Sequence, residues 1–219
     1  MLSLTEELML LALNDEKGTV VFASSQNLPY GLASTLLLDL INSGCLEIKN
    51  DKMKIIDKGN SKLKFLESAL LLLKLKIAKN EIKKDFSFKE GIIILSQNYL
   101  NFQDMIIENL ILQGILKREA KKFLFLIKFS QYPTLDPASE LLTRDNIHKS
   151  VLMNIKPEDK LKTLICIMYV CNLLDEVFPK KLRKIAKEKI EEYLNEEKYS
   201  KILKKVISEL SIFIVSPIS

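Results

Sequence analysis

The chain has 219 residues, enough to bury the core of one domain or two small ones. Hydrophobic residues make up 47% and charged residues 28%, a globular composition, and 33 Lys plus Arg against 28 Asp plus Glu leave a net charge of +5. One His, no Trp and three Arg (Arg118, Arg144, Arg183) exclude a His-rich metal centre and any chemistry built on several guanidinium clamps.

In chain order, Leu4, Leu8 and Leu11 share one helical face, and Ser3 with Glu6 has capping-box spacing, so a helix is predicted over residues 5–13. A turn at 14–18 leads to a short β-branched strand at 19–23 and a leucine-rich core helix at 32–42, closed by Gly44. Residues 45–48 and 53–56 flank a polar turn and read as a β-hairpin. An apolar helix at 65–79, a loop and helix start at 86–97, and a helix at 104–112 follow. Leu40-Ile-Asn-Ser-Gly44-Cys-Leu46 is echoed by Leu110-Ile-Leu-Gln-Gly114-Ile-Leu116. The echo predicts a second hairpin: out at 115–118, turn at 119–122, back through 123–129. A loop at 131–137 precedes a helix at 139–153, and Pro157 opens the next helix near its first turn. Residues 161–178 are apolar almost all round, which predicts one buried central helix ended by Pro179. Charged amphipathic helices are expected at 180–193 and 198–215. With no linker or low-complexity break, residues 1–219 form one mainly α globular domain, with a buried central helix and two short β-hairpins.

The catalytic inventory is poor. The six glycines form neither GxGxxG nor GxxxxGK[ST], and GxSxG and HExxH are absent. Cys45, Cys166 and Cys171 have no CxxC spacing and are expected as buried small hydrophobes. His148 is expected as ordinary surface chemistry. Glu6 and Glu7 are helix-start acids favoured by the macrodipole, and Asp175 and Glu176, at the end of an apolar stretch, are expected to be structural and open to burial. No catalytic residue, metal site or cofactor is assigned, so an enzyme is the least favoured class.

Charge is uneven: residues 1–50 carry net −4, residues 51–130 net +7 and residues 131–219 net +2. Within the basic third, Lys117, Arg118, Lys121, Lys122 and Lys128 flank Phe123, Phe125 and Phe129. Cations beside apolar aromatics suit an anionic membrane surface. The alternative is a winged-helix-like nucleic-acid-binding module, from the helix–Gly–hairpin pattern. Against it, the recognition helix would be 32–42, which is nearly all apolar and carries Asp39 and no cation. The N-terminus has acids where a signal peptide has a basic start, and the most apolar later stretch, 163–174, is about half of a membrane span. The expected location is cytoplasmic, peripherally associated with membrane.

Residues 4–18 (Leu-Thr-Glu-Glu-Leu-Met-Leu-Leu-Ala-Leu-Asn-Asp-Glu-Lys-Gly) and 30–48 resemble the opening of the Golgi phosphoprotein 3 family. Leu66-Glu-Ser-Ala-Leu70, the segment 108–116 with Phe123-Leu-Phe125, and 161–178 ending Asn172-Leu-Leu-Asp-Glu-Val-Phe178 are similar to later parts of the family in the same order. The resemblance covers nearly the whole chain and is to a prokaryotic member, without the long N-terminal extension of eukaryotic ones. It implies a helical domain with hairpins. It also implies a peripheral membrane protein that binds phosphatidylinositol 4-phosphate and holds cytoplasmic tails of membrane glycosyltransferases, with self-association a further expectation. The family's headgroup-binding Trp and three Arg fall at Ala23, Ala33, Leu100 and Gln103, where the side chains are not preserved.

Overall fold

The computed structural model describes residues 2–14, 17–56, 61–123, 127–195 and 208–209, with backbone alone at 122–123 and 127–129. Helix α1, Leu4–Ala12, begins where every early N–H donor finds an acceptor. Asp39 accepts from the Leu4 and Thr5 amides at 3.1 and 2.9 Å, Ser3 Oγ from Glu6 at 3.2 Å, and the Ser3 carbonyl from Glu7 at 3.1 Å. Glu6 returns the capping box by accepting from Ser3 N at 2.8 Å. A helix start is a cluster of orphan donors, and here two are met by a carboxylate from another helix. The capping residues were readable from spacing; Asp39 was not.

The strand predicted at 19–23 is not formed. Val20 makes one isolated bridge to Leu13, and Phe22–Ser24 is a 3₁₀ turn. The Ser24 and Ser25 hydroxyls donate to the Val21 and Phe22 carbonyls at 2.8 and 2.7 Å, a local pairing that competes with a β ladder. Helix α2, Leu28–Asn42, starts with Pro29 in its first turn and buries eleven of its fifteen residues. It ends in a Schellman pair, with Gly44 N to the Ile41 carbonyl and Cys45 N to the Leu40 carbonyl, both 2.9 Å, at a Gly44 φ of 72°.

The predicted first hairpin forms as β1 (Leu46–Lys49) and β2 (Lys52–Ile55), and Asn50 and Asp51 both take the positive φ that a two-residue turn of this hand requires. A third strand, β3 (Asp85–Phe86), adds to β2; its two residues gave no pattern to read. Helices α3 (Lys64–Ala78), α4 (Phe88–Ser96) and α5 (Tyr99–Leu112) follow. Helix α5 ends as α2 does, with Gly114 at φ 74° and bonds to Ile111 and Leu110 carbonyls at 2.9 and 3.0 Å. The sequence echo is therefore a repeated helix stop.

The second hairpin has strands β4 (Glu119–Phe123) and β5 (Ile127–Gln131). This corrects the predicted turn: residues 119–122 are strand, paired with 128–131, and residues 124–126 lie outside the described residues. Charge-rich residues mimicked a turn because a solvated ribbon accepts charge on its strands, and the apolar run after it holds no Gly, Pro or Asn to mark the real one.

Helix α6 spans Ala138–Leu152, α7 Asp159–Val170, α8 Leu174–Val177 and α9 Arg183–Asn195. The single central helix expected over 161–178 is thus two. Asn172 sits at φ 58° and closes α7 through bonds from Asn172 N to the Tyr169 carbonyl (3.0 Å) and Leu173 N to Met168 (3.1 Å). Asn here does the work of the glycines at 44 and 114, without interrupting the apolar pattern. The helix expected at 198–215 lies outside the described residues except for helical Ser208 and Glu209. One hydrophobic core joins residues from α1 to α9, giving a mainly helical single domain with two small antiparallel sheets. Among the described residues no helix is long and apolar enough to cross a membrane.

Candidate functional site

The ribbon β4–β5 is a two-stranded sheet whose strands pair only with each other, and no described helix packs broadly against either. Its base is fixed. Lys117 N donates to the Pro133 carbonyl at 3.1 Å, Leu116 bridges Thr134, and Tyr132 N donates to the Gly18 carbonyl at 3.1 Å. Gly18, at φ 56°, lies so close that a Cβ would sit 1.9 Å from the Tyr132 carbonyl carbon. The turn predicted at 14–18 thereby becomes the footing of the ribbon.

The described cations on the ribbon are exposed and partly neutralised. Glu119 lies between Lys117 (2.8 Å) and Lys121 (3.1 Å). Hydrogen bonds from Lys117 and then Lys121 hold its carboxyl below the usual carboxylate range. Arg118 pairs with Glu108 of α5 and lies over the Tyr132 ring, 5.9 Å from its centroid. The register sets Lys121 opposite Phe129, Lys122 opposite Lys128 and Phe123 opposite Ile127. Phe125 lies outside the described residues. Residues 117–131 carry five cations and one acid. Sequence reasoning found the cations and missed the clamp; the available signal was Lys-x-Glu-x-Lys, which strand alternation puts on one face.

The four headgroup positions differ in exposure. Ala33 is 1% exposed, inside the core, whereas Leu100 is 70% exposed at the start of α5. Ala23 is exposed in the 3₁₀ turn and Gln103 is half-buried.

The remaining polar candidates are committed to structure. Glu6 is buried and accepts from Asn109 Nδ2 at 2.7 Å and Gln113 Nε2 at 2.5 Å, tying α1 to α5. In a groove between α6 and the start of α7, Lys160 pairs with Glu7 at 2.9 Å and donates to the Leu2 carbonyl at 2.6 Å. Burial raises the carboxyl pKa of Glu7 despite Lys160, and raises that of Asp39 despite Thr5. His148 is not a free surface group: its Nε2 lies 2.7 Å from the Val177 carbonyl and its ring 5.0 Å from Phe178, joining α6 to the end of α8. Asp175 and Glu176 are exposed, and Asp175 pairs with Arg183 at 2.7 Å. The three cysteines are buried and form no disulfide, and burial pushes the Cys171 thiol up to about 12. Among the described residues no group of three His, Cys, Asp or Glu could hold a metal ion.

Together these features define a class: a mainly helical domain that presents one self-paired basic ribbon. Within it, the chain belongs to the Golgi phosphoprotein 3 (GPP34) family, whose model matches residues 4–210. A search of the curated proteins finds no match.

Proposed function

We propose that this protein is a peripheral membrane protein that binds anionic phospholipid headgroups through the β4–β5 ribbon. One observation carries the proposal: the ribbon's strands pair only with each other, and its sequence concentrates five cations with apolar residues in fifteen positions. Each Lys or Arg near an anionic surface contributes about 1 kcal/mol, so four net charges give useful but salt-sensitive attraction. With Ala23, Ala33, Leu100 and Gln103 at the family's headgroup positions, attraction by charge is favoured over selection of one phosphoinositide. The nucleic-acid alternative loses its recognition helix, because α2 is a core helix and Asp39 is spent capping α1. A role in holding glycosyltransferase tails rests on family membership alone.

Vesicle flotation tests the proposal. Binding to vesicles containing phosphatidylserine, little to neutral phosphatidylcholine, and loss in high salt are expected. Equal binding to both, or to neither, overturns it.

A further inference from the structure

An exposed apolar side chain also lies outside the ribbon. Phe22 is 91% exposed, more than any other exposed large hydrophobic among the described residues. Single exposed apolar side chains are common and by themselves carry no meaning. Three observations set this one apart.

The first is charge. Residues 18–38 contain no charged side chain, in a chain that is 28% charged. Burial of α2 accounts for the stretch from Leu28 onwards. It does not account for Phe22, Ala23, Ser25 and Gln26, which are exposed. An exposed turn in this protein would ordinarily carry Lys or Glu.

The second is the turn's own hydrogen bonding. The Val21 carbonyl accepts from Ser24 N at 3.1 Å and Ser24 Oγ at 2.8 Å. The Phe22 carbonyl accepts from Ser25 N at 3.1 Å and Ser25 Oγ at 2.7 Å, and the Ser24 carbonyl from Asn27 N at 3.0 Å. Three of the turn's carbonyls and both serine hydroxyls are thus satisfied internally, which lowers what the turn loses on leaving water for the headgroup–acyl boundary.

The third is position and rigidity. The turn is pinned to α7 by Asn27 Nδ2 to the Val170 carbonyl at 3.2 Å. Its other end is the Val20–Leu13 bridge, and Gly18 is bonded to Tyr132 at the ribbon base. Four residues of chain cannot span more than about 14 Å, so Phe22 is held within that distance of the ribbon's footing.

We infer that Phe22 is a second membrane contact, an aromatic anchor that inserts at the interface of an anionic bilayer beside the basic ribbon. It rests on the ribbon being the membrane-binding element. The division of work is physical: long-range attraction comes from the lysines, and the short-range hold comes from an aromatic ring that leaves water.

The absence of Trp makes the test direct. Phe22→Trp introduces a single indole, whose emission is read against vesicles of phosphatidylcholine and phosphatidylserine, with and without brominated acyl chains. A blue shift on adding anionic vesicles and quenching by the bromines are expected. In parallel, Phe22→Ser should weaken partitioning roughly tenfold with unchanged thermal unfolding, since the ring has almost no packing to lose. If the wild-type protein floats with anionic vesicles but the indole neither shifts nor is quenched, or Phe22→Ser binds as wild type, the anchor is wrong and the ribbon proposal stands. If the wild-type protein does not bind, both fall. A blue shift that instead appears with rising protein concentration and no vesicles assigns the turn to a second copy of the chain and overturns the anchor.

Discussion

Asp39→Ala removes the acceptor for three donors at once: the Leu4 amide at 3.1 Å, the Thr5 amide at 2.9 Å and the Thr5 hydroxyl at 2.7 Å. Leu4, Thr5 and Asp39 are all buried, so water does not readily replace the carboxylate. An orphaned buried polar group costs about 1–3 kcal/mol. The two amides alone therefore set a scale of roughly 2–6 kcal/mol, and relief from burying a carboxylate offsets part of it. A net loss of about 2–4 kcal/mol is expected, a large share of a typical 5–15 kcal/mol domain stability. Urea unfolding measures it, with the midpoint falling and the slope unchanged. Asp39→Asn should lose less, because one oxygen remains to accept. A loss below about 0.5 kcal/mol for Asp39→Ala would refute the claim that α1 is capped from α2.

The pH dependence follows from the same network. Burial raises the pKa of Glu7 and Asp39 in the folded state, so the folded protein holds protons that the unfolded chain has released. That contribution to stability is full below the unfolded values and lost as pH rises through the folded ones. Glu90 and Glu119, whose pKa values are lowered, begin to cost stability only as pH falls below the ordinary carboxylate range. Thermal unfolding should therefore move upward from about pH 7 to about pH 5, and less so in Asp39→Asn; no change or a fall would contradict this. On the ribbon, Glu119→Gln should release Lys117 and Lys121 and strengthen binding to anionic vesicles severalfold at low salt, while Lys117→Gln weakens it by a similar factor. Unchanged flotation for both would count against a charge-driven surface. The glycines separate two causes: Gly44→Ala, with open space but φ 72°, should cost about 1 kcal/mol. Gly18→Ala, which forces backbone against backbone, should cost clearly more in the same urea assay.

Particular elements show why some of the fold was legible. Ser3 and Glu6, Gly44 and Gly114, and the hairpin around Asn50 and Asp51 are local devices whose partners lie within nine residues. Such signals survive in a linear sequence because their hydrogen bonds close over short loops. The break at Asn172 was hidden because Asn adopts positive φ without disturbing an apolar run. The ribbon's turn was misplaced because charge was taken for a reversal. Strand β3 exists only because β2 offers it an edge.

The site divides the same way. The basic, aromatic-bearing segment at 117–129 and the scarcity of Arg were readable from the sequence, since charge and residue type are carried by the chain itself. Family membership was likewise legible, in five ordered segments that the family model spans as residues 4–210. Two facts needed the tertiary structure: Asp39 caps a helix thirty-five positions away, and Phe22 stands in water four residues beyond the glycine bound to the ribbon's base. These depend on which surfaces the packed helices cover and which they leave open. Burial is a property of the whole fold, and no stretch of sequence specifies its own.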